Sequence, residues 1–186
     1  MCLTVLQDSR LYEFLFTIDE GFAEEARTDG CLCGGRLHRA NYDRKPRGGR
    51  SDLGPEYGKR LSFCCALEGC RSRKTPPSVR FLGRRVYLGA VVLLVSAMQG
   101  GISDTRAAEL QKLLGVSRRT LWRWRSWWRQ SFPVSNFWKR ERGRFMPPLN
   151  DGTLPASLLE RFTDEDDRSR LIQVLSFLAP LTTQSC

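Results

Sequence analysis

Residues 105–125 read TRAAELQKLLGVSRRTLWRWR, and their apolar spacing predicts the helical structure of the second half of the chain. Apolar residues recur at helical spacing on both sides of a short break, where Gly115 permits the left-handed backbone that ends a helix. Val116 fills the space between the two helices, and Ser117 is a suitable N-cap for the second. The spacing therefore predicts a helix-turn-helix whose second helix begins at Arg118.

The second predicted helix divides into an apolar side and a basic side. Leu121, Trp124 and Trp128 recur at helical spacing and are expected to face the core. The candidate DNA contacts on this helix are Arg118, Arg119, Thr120, Trp122, Arg123 and Arg125. Arginine pairs bidentately with guanine in the major groove, so the predicted base readers are Arg118, Arg119 and Arg123. Thr120 and Arg125 are expected to hold phosphates.

Two alternatives to this interpretation stay open. The helices can form a hairpin with a tryptophan-rich core and a solvated arginine face that binds nothing. Trp127, Trp128 and Trp138 are interpreted as core or helix-packing residues, and base stacking on single-stranded nucleic acid is the lesser alternative.

The formal charge of +10 is segregated along the 186 residues. Residues 1–30 carry −5, residues 31–85 carry +10, residues 86–150 carry +8 and residues 151–186 carry −3. A central block of +18 between acidic ends suits a polyanion, because its field adds over many phosphates. Nucleic acid is therefore the first predicted partner and an anionic membrane surface the second. The longest apolar run, residues 86–98, is shorter than the roughly 20 residues of a membrane span and predicts a buried element.

Five of the seven cysteines fall into two short groups. The groups read Cys31-Leu-Cys33-Gly-Gly and Phe63-Cys64-Cys65-Ala-Leu-Glu-Gly-Cys70. Clustered cysteines in a reducing compartment are more typical of metal ligands than of disulfides, and two thiolate pairs on tight turns are typical of a zinc ribbon. The predicted ligands of a structural Zn²⁺ are Cys31, Cys33, Cys65 and Cys70, with Cys64 as the alternative to Cys65. Four thiolates leave no open coordination position, so this metal would hold the fold and do no chemistry.

Neighbouring residues of a strand face opposite ways, so only one of Cys64 and Cys65 is expected to point at the metal. The competing interpretation of the whole cluster is a set of reduced, buried thiols without a metal. His38, the only histidine, is expected to make a partly exposed or phosphate contact rather than to act as a ligand. Cys2 and Cys186 are interpreted as free thiols at the two ends.

Composition and periodicity divide the chain into four predicted segments. They are an N-terminal amphipathic helix segment (1–30), a zinc ribbon with a basic loop (31–83), a helix-turn-helix domain (84–146) and a C-terminal helical segment (147–186). The predicted fold is mainly α with a small β zinc ribbon. In the first segment, one helix face carries the acids Asp19, Glu20, Glu24 and Glu25, which we expect to be solvated.

The basic loop of residues 44–50, with Arg44, Lys45 and Arg47, is thin and extended enough to lie along a minor groove. Its equal alternative is a mobile, solvated loop. Residues 139–144, KRERGR, are expected to form a second flexible basic stretch with the same two interpretations.

Motifs between residues 31 and 130 resemble a known group of proteins. The chain is similar here to small transposase-like, insertion-sequence-associated proteins with a zinc ribbon and a helix-turn-helix. The motifs that carry the resemblance are Cys-x-Cys-Gly-Gly from Cys31, then Arg-Lys-Pro-Arg-Gly, Phe-Cys-Cys, Gly-Cys-Arg and the residues TPPSVRFLGRR of 75–85. The resemblance implies recognition of the DNA ends of a mobile element. After the helix-turn-helix only about 60 residues remain, too few for the catalytic core of a complete transposase, so we predict no catalytic residues and no enzyme activity.

The sequence thus predicts a sequence-specific double-stranded DNA-binding protein that acts as a transposase-like accessory or regulator. One alternative is an RNA-binding or ribonucleoprotein component, and another is an interaction module that recruits a catalytic partner. The expected partners are double-stranded DNA, a transposase or other catalytic protein, and a second copy of the chain in a homodimer, with no membrane. The N-terminus does not read as a signal peptide, so a bacterial cytoplasmic, nucleoid-associated location is expected.

Overall fold

The computed structural model describes residues 3–44, 52–82, 88–98, 103–163 and 166–183. Within these ranges the α-helices are α1 (Ser9–Thr28), α2 (Gly89–Ala97), α3 (Asp104–Leu114), α4 (Arg118–Ser126), α5 (Asn136–Glu141), α6 (Ala156–Arg161) and α7 (Asp167–Leu178). The strands are β1 (Leu37–Arg39), β2 (Tyr42–Asp43), β3 (Lys59–Arg60), β4 (Phe63–Cys65) and β5 (Arg73–Lys74). The mainly helical architecture with a small β element is therefore confirmed. In the described part of the chain, no helix is long and apolar enough to cross a membrane.

The N-terminal helix α1 forms where the apolar periodicity predicted it. Asp8 caps its first turn, because the carboxylate accepts a hydrogen bond from Arg10 N at 3.0 Å. Leu11, Tyr12 and Leu15 form the buried stripe of the helix. This stripe attaches α1 to the main core.

Asp19 on α1 differs from the solvated acid that the sequence predicted. It is only 1% exposed, and its carboxylate accepts hydrogen bonds from Ser78 Oγ at 2.5 Å, Val79 N at 2.7 Å and Arg80 Nε at 2.7 Å. The prediction was wrong for this residue because its partners lie about 60 positions away, where helical periodicity carries no information. The other three acids of that face, Glu20, Glu24 and Glu25, are exposed as expected.

Two cations of the basic block are internal. The Arg80 guanidinium is fully buried and donates to the carbonyl oxygens of Tyr57 at 2.6 Å and Lys59 at 3.0 Å. Arg60 is also buried, and its guanidinium donates to the carbonyl oxygen of Pro76. Both cations therefore stabilise the fold and cannot contact a ligand.

The small sheet has the order β1-β4-β5 and is antiparallel, while β2 and β3 form a separate antiparallel pair. A small apolar cluster of Ala23, Ala26, Leu61 and Phe63 packs this region against α1. Outside these strands, Phe81 and Leu88 form an isolated antiparallel bridge.

The main core surrounds α2, whose described side chains from Ala90 to Ser96 are all buried. Helix α2 contacts α4, α6 and α7. It belongs to the predicted apolar run 86–98, and residues 83–87 of that region lie outside the described ranges. One continuous apolar cluster extends from Leu6 before α1 to Ala179 after α7. The predicted N-terminal, helix-turn-helix and C-terminal segments thus share a single core.

The stretch 139–144 is ordered into helix, whereas the sequence analysis expected a flexible chain. It completes α5 and continues as a 3-10 turn, Arg142–Arg144. Glu141 pairs with Arg140 at 2.8 Å and with Arg144 at 2.9 Å, and hydrogen bonds from these two arginines lower the pKa of Glu141. Part of the basic charge of this stretch is therefore neutralised within it.

Candidate metal centre and candidate nucleic-acid interface

The first cysteine pair lies on a tight turn between α1 and β1. Gly34 N donates to the Cys31 carbonyl at 2.8 Å, and Cys31 N donates to the Gly35 carbonyl at 3.3 Å. These two bonds fold the chain back on itself, so that Cys31 and Cys33 present their thiols to the same side.

The second pair lies where β4 turns into β5. Cys65 is the last residue of β4, and Leu67 N donates to its sulfur at 3.4 Å. Cys70 N donates to the Leu67 carbonyl at 3.0 Å, which closes the turn that carries Cys70. Because β1 pairs with β4, with Leu37 opposite Cys65, the two turns meet at one end of the sheet.

The four sulfur atoms of Cys31, Cys33, Cys65 and Cys70 all lie within 4.8 Å of one another. The Cys31 and Cys70 sulfurs are 3.7 Å apart, and those of Cys33 and Cys65 are 3.5 Å apart. A tetrahedral Zn²⁺ with bonds of about 2.3 Å places its sulfurs about 3.8 Å apart, whereas a disulfide needs about 2.05 Å. These four cysteines are therefore close enough to bind a metal ion.

Cys64 is not part of the cluster. It faces away from Cys65 in β4, and its thiol approaches the Arg71 carbonyl at 3.4 Å. His38 lies opposite Cys64 in the register of β1 and is exposed, so it also lies outside the group of four close cysteines. The alternation of the strand thus selects Cys65, a choice that the sequence analysis left open.

The cysteine cluster leaves no room for a side chain at position 35. A Cβ at this position would stand 2.5 Å from the Cys65 sulfur and 3.3 Å from the Cys33 sulfur. Both distances are below an ordinary van der Waals contact, so a larger residue would displace a sulfur.

The four thiols also influence one another's protonation. Hydrogen bonding with Ser72 Oγ, which lies 3.1 Å from the Cys31 sulfur and 3.2 Å from the Cys70 sulfur, lowers the pKa of Cys31 to about 6 and also lowers the pKa of Cys70. The Gly35 amide favours the Cys33 thiolate, but hydrogen bonding with the Cys31, Cys70 and Cys65 thiols outweighs it and raises the pKa of Cys33 to about 12. The pKa values of Cys31 and Cys70 are lowered while those of Cys33 and Cys65 are raised, and a bound cation would favour the thiolate form of all four. Ser72 is a contributor that the cysteine spacing could not reveal.

The second candidate site is the exposed side of α4. Gly115, with φ +61°, ends α3, and the Ser117 hydroxyl caps α4 by accepting from Thr120 N at 3.4 Å. Val116 is buried between the two helices, as predicted. The turn between α3 and α4 thus contains the three residues that the spacing indicated.

The buried and the exposed residues of α4 lie on the two sides that the helical periodicity predicted. Leu121, Trp124 and Trp128 are almost completely buried. The exposed residues on the opposite side are Arg118, Arg119, Trp122 and Arg123. Beyond Ser126 the helix widens into a π turn, Trp127–Ser131, in which Phe132 N donates to the Trp127 carbonyl at 2.8 Å. Trp127, Trp128 and Phe132 pack together there, with Trp128 and Phe132 buried and Trp127 partly buried against them.

Thr120 and Arg125 are placed differently from the phosphate contacts predicted for them. Thr120 is 4% exposed, and its hydroxyl interacts with Ser117 Oγ at 3.1 Å and accepts from Arg123 Nη2 at 3.0 Å. Its position makes it a support for Arg123 rather than an open contact. Arg125 is half-buried, and desolvation together with the nearby Arg129 lowers the pKa of Arg125.

Arg118 is exposed but has a carboxylate partner. Its Nη2 lies 2.6 Å from Asp104 Oδ1, and this ion pair joins the first residue of α3 to the first residue of α4. Both side chains are more than half exposed, so water screens the attraction and a phosphate or base edge can compete for Arg118.

Only the first residue of the predicted basic loop can be located. Arg44 lies with its guanidinium 5.4 Å from the centre of the Tyr42 ring, and Arg73 stands 5.5 Å from the same ring. Lys45 and Arg47 lie outside the described residues, as do Cys2 and Cys186.

Comparison of the chain with protein-family models, with curated proteins and with solved structures finds no match. The resemblance to transposase-associated proteins therefore stays a prediction from the motifs that suggested it.

Proposed function

We propose that this chain is a sequence-specific double-stranded DNA-binding protein and that α4 is the recognition helix of a helix-turn-helix. The observation that carries the proposal is the exposed side of α4, where three arginines and one tryptophan occupy the first two turns. An α-helix fits the major groove, and arginine is the side chain best suited to the O6 and N7 acceptors of guanine.

The support of α4 favours this role over that of a solvated hairpin. Its opposite side is anchored by Leu121 and Trp124 in the core, and both α2 and α3 pack against it. A helix held in this way presents its arginines in a defined orientation, which direct base readout requires. The basic charge of residues 86–150 adds the attraction to phosphates on which affinity for DNA depends.

The proposed metal is a structural Zn²⁺ in the cluster of four cysteines. Four thiolates suit zinc, and the sulfur separations agree with tetrahedral coordination. Bound zinc would stabilise the junction between the α1 end and the sheet, because its ligands come from both turns. On this sheet, exposed Arg39 and Arg73 offer a second surface for phosphates.

We propose no catalytic role for this chain. Its biological role would be that of an accessory or regulator that brings a transposase or other catalytic protein to a DNA site. The acidic terminal segments are a suitable surface for that partner or for a second copy of the chain.

The test is selection of bound duplexes from a random DNA library, followed by affinity measurements at about physiological salt. We expect enrichment of a defined motif, and we expect Arg119→Ala to lose about 1–3 kcal/mol on that motif and little on unrelated duplexes. Arg27→Ala is the matched control, since it also removes an exposed arginine, but from the acidic N-terminal segment.

Two results would overturn the proposal. Failure to enrich any motif would remove sequence-specific binding, and equal competition by structured RNA would favour the RNA-binding alternative. An unchanged affinity of both Arg119→Ala and Arg123→Ala for the selected motif would show that α4 is not the recognition helix.

A further inference from the structure

Trp122 is the most exposed of the five tryptophans. It is 62% exposed, whereas Trp127 is partly buried and Trp124, Trp128 and Trp138 are at most 1% exposed. It lies in the second turn of α4, on the side that also carries Arg118 and Arg119. The indole thus stands among the residues proposed to enter the major groove.

The helix geometry determines which part of a bound duplex Trp122 would meet. Residues three and four positions apart share one face of an α-helix, so Trp122 follows Arg118 and Arg119 along the same face. A rise of about 1.5 Å per residue places it roughly 5–6 Å farther along α4. Base pairs are spaced about 3.4 Å apart, so the indole would lie one or two pairs beyond a guanine contacted by those arginines.

The chemistry of the indole restricts what it can recognise there. Its only polar group is one N–H donor, and the remainder of its surface is apolar. The apolar feature of the major groove is the C5-methyl group of a pyrimidine, which thymine carries and unmodified cytosine lacks. An amide or charged side chain at this position would instead select for hydrogen-bonding edges.

We infer that Trp122 is a specificity-determining residue that contacts a pyrimidine C5-methyl group one or two base pairs from an arginine-bound guanine. The inference rests on the proposed function, because it requires α4 to be the recognition helix. It names the ligand class more narrowly: a major-groove surface in which a guanine and a methylated pyrimidine are near neighbours. Thymine and 5-methylcytosine are the two sources of that methyl group.

The test replaces single thymines of the selected duplex by uracil, which removes the methyl and leaves every hydrogen-bonding group unchanged. One replacement next to the guanine contact should weaken binding by the full-length protein about fourfold, the effect of one buried methyl group. The Trp122→Ala protein should bind thymine and uracil duplexes equally. Because Trp122 is exposed, this variant should retain the wild-type circular dichroism and thermal midpoint.

The outcomes separate the inference from the function on which it rests. Motif enrichment in which the wild type binds thymine and uracil duplexes equally, and also binds cytosine and 5-methylcytosine duplexes equally, would overturn the role of Trp122 and leave the DNA-binding proposal intact. Tighter binding of single-stranded DNA that is lost in Trp122→Ala would also overturn it, since the indole would then stack on bases. An effect only of 5-methylcytosine at that position would support methyl recognition and assign it to modified DNA. Absence of any selected motif would instead refute the proposed function.

Discussion

Replacing Asp19 by asparagine tests whether a buried ion pair ties the N-terminal helix to the rest of the molecule. The Asp19 carboxylate accepts from Ser78 Oγ, Val79 N and Arg80 Nε, and both charged side chains are fully buried. Asparagine offers one acceptor oxygen and one NH₂ donor, so at least one native donor would face another donor. The Arg80 charge would also lose its counter-ion.

Removing one partner of a buried pair costs about 3–5 kcal/mol. Arg80 retains its bonds to the Tyr57 and Lys59 carbonyl oxygens, so we expect a loss near the lower limit, about 3 kcal/mol. A domain with a free energy of unfolding of about 5–15 kcal/mol remains folded after such a loss but is clearly weakened. With a urea dependence of about 1–3 kcal/mol per molar, the unfolding midpoint should fall by roughly 1–3 M.

Urea unfolding followed by tryptophan fluorescence measures the fall in the unfolding midpoint with a signal that comes from outside α1. All five tryptophans lie between residues 122 and 138, so their signal reports the helical core and not α1 itself. Glu20→Gln, an exposed neighbour on α1, is the matched control and should leave the midpoint unchanged. Failure of Asp19→Asn to fold, while Glu20→Gln folds normally, would be a larger effect of the same sign. A midpoint of Asp19→Asn equal to that of the control would refute the reasoning.

Three further predictions concern the two sites. Thr120→Val should weaken binding of the selected duplex, measured by fluorescence anisotropy, by about 0.5–1.5 kcal/mol, because the Arg123 guanidinium loses its hydrogen-bond acceptor. Thr120→Ser keeps the hydroxyl and should bind like the wild type, so equal losses in the two variants would contradict the role of Thr120 in positioning Arg123. Gly35→Ala should lower metal affinity about 10–100-fold in chelator competition, since its Cβ would collide with a cluster sulfur, whereas Gly69→Ala, which meets nothing within 4 Å, should bind like the wild type. In metal-free protein, the alkylation rate of Cys31 should be half-maximal near its pKa of about 6 and should fall at lower pH as the thiol is protonated, whereas bound metal should block the reaction. A midpoint near the ordinary cysteine pKa of about 8.5 would contradict the contact with Ser72.

Local patterns in the sequence predicted much of the helical structure and the cysteine set. The apolar spacing of residues 105–125, with a glycine and a serine between two periodic runs, determines α3, the turn and α4, because each of these signals acts within a few residues. The same reasoning predicted which side of α4 is buried. Spacing also selected Cys31, Cys33 and Cys70, since thiols on tight turns are held close together by the backbone itself.

Local sequence patterns could not predict the contacts between residues that are far apart in the chain. Strand register decided between Cys64 and Cys65, because the pairing of β1 with β4 determines which face meets the first cysteine turn. Packing also buried Asp19 against Arg80 and placed the Thr120 hydroxyl against Arg123. A helical pattern shows which residues share a face, but a charged group becomes internal only when a partner far along the chain supplies its hydrogen bonds. Local sequence patterns thus predicted helices α3 and α4, three of the four clustered cysteines and the basic block, whereas long-range packing selected Cys65 and set which charges remain on the surface, because those outcomes depend on residues far apart in the chain.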